Sequence, residues 1–139
     1  NGTQQAARTT LCLLNAERRA RGLRPLRLDR KLNRAAVRHA RDMVAQHYFA
    51  HDSRDGSSFA HRIKRTGWTK SRRSYTMGEN IAYGGGHLAT PAAIVRGWMR
   101  SPGHKANILA RDFRFIGIGI ADGAPTGDAG ATYATDFGG

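Results

Sequence analysis

The stretch GWMRSPGHKANIL, residues 97–109, anchors the reading of this chain. Just upstream, Thr90-Pro91 starts a helix, because threonine caps a first turn and proline fits inside it. Ala93, Ile94, Gly97 and Trp98 fall on one face of that helix until Ser101-Pro102-Gly103 breaks it. His104 then lies beyond the break, in a segment read as irregular, where a rigid element can present a functional side chain.

Working toward the C-terminus, FRFIGIGI (113–120) reads as a strand whose glycines permit close backbone approach or a bulge. Residues 122–130 are a Gly/Pro/Asp loop, and 131–137 form a second strand expected to pair antiparallel with the first. Toward the N-terminus the pattern is helical. Residues 1–9 are polar and without period, and read as a flexible arm or linker remnant before a single domain over 10–139. Thr9 or Thr10 caps a helix running to about Arg21, with Gly22 as its stop and Leu11, Leu14 and Arg18 on a shared face. Asp29 caps a second helix, with Leu32, Ala36, His39 or Ala40, Met43 and His47 as its buried stripe. A third, short helix runs from Ser57 or Ser58 to Arg65 with Phe59 and Ile63 inward, and Gly67 ends it. The basic segment 68–75 is expected on the surface, entering a strand near Tyr75. Helices gathered early and strands late predict an α+β fold, because a doubly wound sheet requires them to alternate.

Composition narrows the class. Twenty-three Lys and Arg against ten Asp and Glu give a formal charge of +13, which attracts polyanions without naming one. The arginines are scattered, so a solvated basic face is the simpler account, with anionic envelope polymers or lipids as candidate partners and no specific nucleic acid implied. The single cysteine, Cys12, excludes an internal disulfide and reads as a buried thiol within Leu11-Cys12-Leu13-Leu14. No window has the run of about 20 apolar residues that a membrane span needs. The chain opens without an initiator methionine or signal-peptide pattern, as expected of a mature or trimmed domain, and a monomer is the expected state.

Of six histidines, His39 and His47 lie near the predicted buried stripe, and His61 and His87 are expected to be exposed. His51 and His104 occupy loop positions. Glu79, between a glycine and an apolar pair in Gly78-Glu79-Asn80-Ile81-Ala82, is expected to be partly inside and in need of a partner, since an unpaired buried carboxylate is costly. Two imidazoles and a carboxylate suit a divalent metal such as zinc with a coordination position left for water. They equally suit a hydrogen-bonded polar cluster that organises loops. No HExxH helix decides between them, Ser101 lacks the GxSxG elbow of a serine hydrolase, and Gly84-Gly85-Gly86 is a turn and not a phosphate loop.

At these residues the chain resembles the CAP superfamily of cysteine-rich secretory, antigen 5 and pathogenesis-related proteins, in particular its bacterial SCP-like branch. The matching stretches are the helical LLNAERRARGLRPLRLDRKLNRAAVRHARDM, then YFAHDSRDG, GENIAYG, GWMRSPGHKANIL, FRFIGIGIA and ATDFG. The resemblance implies a three-layer α-β-α sandwich with a small antiparallel sheet and a central cleft. It places the family's cleft residues at His51, Glu79 and His104, with Asn80 and Ser101 beside them, and an exported location. The family's second glutamate falls on Ser101, so this chain lacks it. The readings carried forward are a secreted, metal-capable domain associated with an anionic envelope, a metal-dependent hydrolase using His51, Glu79 and His104, and a lipid or apolar-ligand carrier walled by Trp68, Tyr75, Tyr83 and Trp98. No organic cofactor is implied.

Overall fold

A computed structural model describes residues 1–139. Its elements are α1 (Gly2–Arg19), β1 (Arg27–Leu28), α2 (Arg30–Ala45), α3 (Phe59–Arg65), β2 (Met77–Gly84), a 3-10 turn (Gly86–Ala89), α4 (Pro91–Met99), α5 (Pro102–Ile108), β3 (Phe115–Asp122) and β4 (Ala131–Gly138). The strands lie in the order β1-β3-β4-β2. β4 pairs antiparallel with both β3 and β2, and the two-residue β1 adds a parallel edge, so the sheet is mixed where an antiparallel one was expected. The fold is α+β.

Strand alternation sorts the core into two layers. On one face Ile116, Ile118 and Ile120 of β3 join Tyr133 and Phe137 of β4 beneath Leu14 of α1, Ile94, Val95 and Trp98 of α4, and Ile108 of α5. On the other face Ile81, Ala121 and Ala134 meet Ala36, Ala40 and Met43 of α2. The intervening Gly117 and Gly119 explain how α2 sits so close. A Cβ at Gly117 would run into the Leu32 carbonyl and Asn33 nitrogen, and one at Gly119 into the same backbone one helical turn later, at Ala36 and Val37. The glycines of FIGIGI are thus the seat of a helix, with no bulge.

Several elements follow the local rules. Asp29 accepts from the amides of Lys31 and Leu32, Ser58 from His61, and Thr90 from Ala93, each satisfying a first-turn donor. Arg18, buried on α1 in line with Leu14, donates to the carbonyls of Arg24, Ile108, Ala110 and Phe113 and so ties α1 to the end of α5.

Other expectations are corrected. Residues 1–9 are not an irregular arm: α1 starts at Gly2 because Asn1 and Gln4 form a reciprocal capping box, and Ala6 and Ala7 pack against the core. Cys12 is exposed, because Thr10, Leu14 and Arg18 take the buried face and leave it on the opposite side. Trp68 is buried among Leu32, Ala35 and Ile63, and its ring is covered by the Arg72 guanidinium at 4.0 Å. His47 has left the helix in a left-handed conformation (φ 56) and is exposed.

Gly119→Ala should destabilise the domain by about 2 kcal/mol or more, because a methyl group there must push α2 off the sheet. Urea unfolding should show the loss as a lower midpoint at unchanged slope.

Candidate functional site

Successive residues of a strand point to opposite faces of the sheet, so on β2, at the sheet edge, they meet different helical layers. Glu79 and Ile81 point toward α2, while Asn80 and Ala82 point toward α4 and α5. Residues 51–58, between α2 and α3, approach from the first side, and α5 approaches from the second. The candidate cleft therefore sits astride one strand edge, with His51 on one bank and His104 on the other.

Glu79 is 4% exposed and fully engaged. Its Oε1 lies 3.0 Å from His51 Nδ1, and its Oε2 accepts from an Arg62 terminal nitrogen at 2.8 Å. The other Arg62 terminal nitrogen donates to the His51 carbonyl, Ser53 Oγ and the Ser57 carbonyl, so one side chain holds both the carboxylate and the loop that carries His51. His39 is buried 4.0 Å from the same carboxylate, and its Nε2 hydrogen-bonds the Ala50 carbonyl at 2.8 Å, fixing the residue before His51.

A second carboxyl lies alongside. Asp136 of β4 is the direct cross-strand partner of Glu79 and has no exposure. Neither of its oxygens meets a protein donor, so an ionised Asp136 would be both buried and unsolvated. Burial and the adjacent Glu79 charge raise its proton affinity well above the ordinary carboxyl range, and the retained proton supplies the donor that Glu79 can accept. Burial acts to raise Glu79 as well, but hydrogen bonds from His51 and Asp136 and the Arg62 charge hold it below the usual value. The pair thus behaves as one carboxylate and one carboxylic acid.

The two cleft imidazoles are biased in opposite directions. The hydrogen bond to Glu79 raises His51, whose side chain remains half exposed. Burial, followed by the charge of His51, lowers His104. His104 sits on α5 and not in an irregular segment, because Pro102 both ends α4 and opens the next helix. Its ring stacks on Trp98, with centroids 6.3 Å apart, and its Nδ1 lies 2.8 Å from Ser101 Oγ. Ser101, at the position where the resemblance expected a glutamate, is therefore the side-chain partner of His104. Asn80 donates to the His104 carbonyl and accepts from Asn107, bracing α5 against β2.

The structure thus puts His51 and Glu79 in contact and gives Asn80 and Ser101 supporting places around His104. Arg62, His39 and Asp136 belong to the same network and were not singled out from the sequence. Asp136 had a signal, since it is the one charged residue in the strand segment ATYATDFG. Arg62 had none, being one arginine among many. No three His, Cys, Asp or Glu side chains gather closely enough to hold a metal ion together. Of the proposed apolar walls, Trp98 and Trp68 belong to the core, whereas Tyr83 is exposed and packs edge-on against Phe49 at 4.9 Å.

Asp136→Asn tests the proton assignment. The folded protein retains a proton that the unfolded chain releases above the ordinary Asp value near 3.9, so wild-type stability should fall with rising pH over the range up to the raised folded value. The asparagine variant lacks this slope. Its urea midpoint relative to wild type should therefore rise from pH 4 toward pH 8, and a gap independent of pH would refute a protonated Asp136.

The sequence profile of the cysteine-rich secretory protein family, CAP, matches residues 11–135. An uncharacterized protein of Bacillus subtilis strain 168, YkwD, is 39% identical over 110 residues, which are 79% of this chain and 40% of that protein. An uncharacterized membrane protein of the same bacterium, YlbC, is 34% identical over 110 residues, covering 79% of this chain and 30% of its own length. The chain therefore spans less than half of the curated relatives it matches. Among solved structures, an extracellular protein containing an SCP domain from Bacillus anthracis superposes with a TM-score of 0.79 at 27% identity, over 97% of this chain and 40% of that one. An outer surface protein of Borrelia burgdorferi gives 0.78 at 21% identity over 96% of this chain and 92% of its own, a likeness of fold. With the profile spanning nearly the whole domain, the chain belongs to the CAP family, in its bacterial SCP-like branch.

Proposed function

We propose that this chain is the CAP domain of an exported protein, and that its function resides in the cleft astride β2, where His51 and His104 offer imidazole nitrogens to a divalent cation such as zinc. One observation carries the reading. The Nδ1 atoms of both rings are already engaged, by Glu79 at 3.0 Å and Ser101 at 2.8 Å, while neither Nε2 has a protein hydrogen-bond partner. Imidazoles oriented through one nitrogen so that the other is presented are the usual arrangement of metal-binding histidines.

A cation there would be held by two imidazoles with water in its remaining positions, one protein ligand fewer than catalytic zinc sites usually have, and Glu79 stands behind His51 as its orienting carboxylate. Direct ligation by Glu79 would require it to give up Arg62 or His51, leaving a buried charge or an unanchored loop. A cation bound there would supply Lewis acidity toward a ligand or water. Hydrolysis at this cleft would need a general base other than Glu79, because both of its oxygens are committed to holding the site together. Export is supported by the extracellular and outer-surface descriptions of the structural relatives, and no helix is long and apolar enough to cross a membrane.

The test is calorimetric titration of zinc into the metal-free protein. Binding requires neutral imidazoles, and Glu79 raises the proton affinity of His51, so affinity should fall as pH drops through the raised His51 value, with His51 losing competence before His104. His51→Ala combined with His104→Ala should abolish the heat, and Glu79→Gln should weaken binding by roughly 10- to 100-fold without eliminating it. Zinc binding that survives the double substitution would place the metal elsewhere.

A further inference from the structure

Behind the cleft, the outward faces of α2 and α3 form a groove of about 550 Å³ continuous in character with a smaller one of about 220 Å³. Arg34, Arg38 and Arg41 stand on α2 at helical spacing, one face of that helix. Arg62 and Arg65 face them from α3, and Arg54 closes one end. Arg38, Arg62 and Arg65 line both cavities. The only acids in the lining are Asp42 and Asp55, and each is already accepting a hydrogen bond, from the Tyr48 hydroxyl and the Ser57 amide.

What sets these arginines apart is their gathering in one concavity, where Asp42 and Asp55 are the only acids and neither is within ion-pair distance of a guanidinium. The ion pairs of the molecule are Arg21 with Glu17 and the cluster around Glu79, so Arg34, Arg38, Arg41 and Arg65 have no carboxylate partner. Arg62 alone is neutralised, and its buried Nε has no acceptor. Like charges held across a concave surface repel one another, and the fold retains this cost in the absence of an anion.

We propose that this groove is a binding site for a soluble polymer bearing repeated phosphate groups. Guanidinium forks on both walls suit phosphate oxygens presented in succession along a chain. The lining distinguishes this occupant from two others. Ala35 and Ala45 are its only hydrophobic residues, so nothing there would insert into a lipid surface; the exposed Leu28, Phe49, Tyr83 and Leu88 are not part of it. It contains no Phe, Tyr or Trp on which a nucleobase could stack, as single-stranded nucleic acid binders provide. The groove shares Arg62 and His39 with the network behind His51, but its free arginines, Arg34, Arg38, Arg41 and Arg65, make no contact with that network, and the proposal does not require a cation in the cleft.

The experiment measures binding of a short inorganic polyphosphate to the full chain in chelator, so that cleft metal cannot contribute. Arg38→Ala with Arg65→Ala, both exposed and outside the Glu79 network, should weaken binding at least about tenfold and make the plot of log affinity against log salt shallower by about one to two. Arg96→Ala with Arg111→Ala, which removes the same charge elsewhere on the surface, should change affinity less than about twofold. Equal losses in the two double variants would reduce the effect to net charge and overturn the proposal. Polyglutamate binding as tightly as polyphosphate would overturn the phosphate preference, and binding to phosphatidylglycerol vesicles but not to polyphosphate would assign the surface to a membrane instead.

Discussion

Two carboxyl groups facing each other across adjacent strands, both shielded from water, form the constraint around which this molecule is organised. Glu79 and Asp136 stand in register between β2 and β4. Both could not be ionised there without severe repulsion. Arg62 settles which one keeps its charge, by donating to Glu79, and Asp136 is left as the acid. Every neighbouring loop is then tied to that outcome. Arg62 holds the His51 carbonyl, His39 holds that of Ala50, and His51 itself completes Glu79. Residues 50–57 have no strand or long helix of their own, so their geometry derives from the buried charge they surround.

The opposite bank is built differently. His104 contacts no carboxylate. Its helix is fixed by hydrogen bonds from side-chain amides, Asn80 donating to its carbonyl and Asn107 to Asn80 and the Glu79 carbonyl, and its ring rests against Trp98. Trp98 in turn donates its indole N–H to the carbonyl of Ile81. Both imidazoles are thus referenced to the same short run of β2, one through a side chain and one through backbone and amide contacts. A shift of that strand would move the two histidines together, which preserves their spacing better than separate anchors would.

What the sequence made legible and what it concealed divide along physical lines. Caps at Asp29, Ser58 and Thr90 are local, involving partners two or three residues away, and were read correctly. The Gly/Ile alternation of β3 left open a close approach or a bulge, and the structure shows a close approach, with α2 as the partner. Apart from the start of α1, whose Asn1–Gln4 capping box is local, the misread elements depended on partners distant in sequence or on a residue type with two uses. Trp68 looked exposed in a basic segment because the arginine covering it, Arg72, is itself part of the basicity. Pro102 was read as a breaker when it also begins α5. His51, Glu79 and His104 were recognised through family motifs, whereas the roles of Arg62 and Asp136 required the strand register and the α3 approach.

Ser101 gives the clearest case of a sequence difference acquiring structural meaning. As the replacement for an expected glutamate, it first signals a missing acid. In the structure it occupies the same relation to His104 that Glu79 has to His51, a side-chain oxygen on Nδ1, but it brings no negative charge. A neutral partner cannot stabilise the imidazolium as a carboxylate does, so burial and the nearby His51 leave His104 disposed toward the neutral form. The two histidines are thereby differentiated: one holds its proton more firmly and one releases it more readily. That asymmetry follows from burial and the His51 charge acting on an imidazole with no acidic partner, and it makes His51 the first of the two to protonate as pH falls.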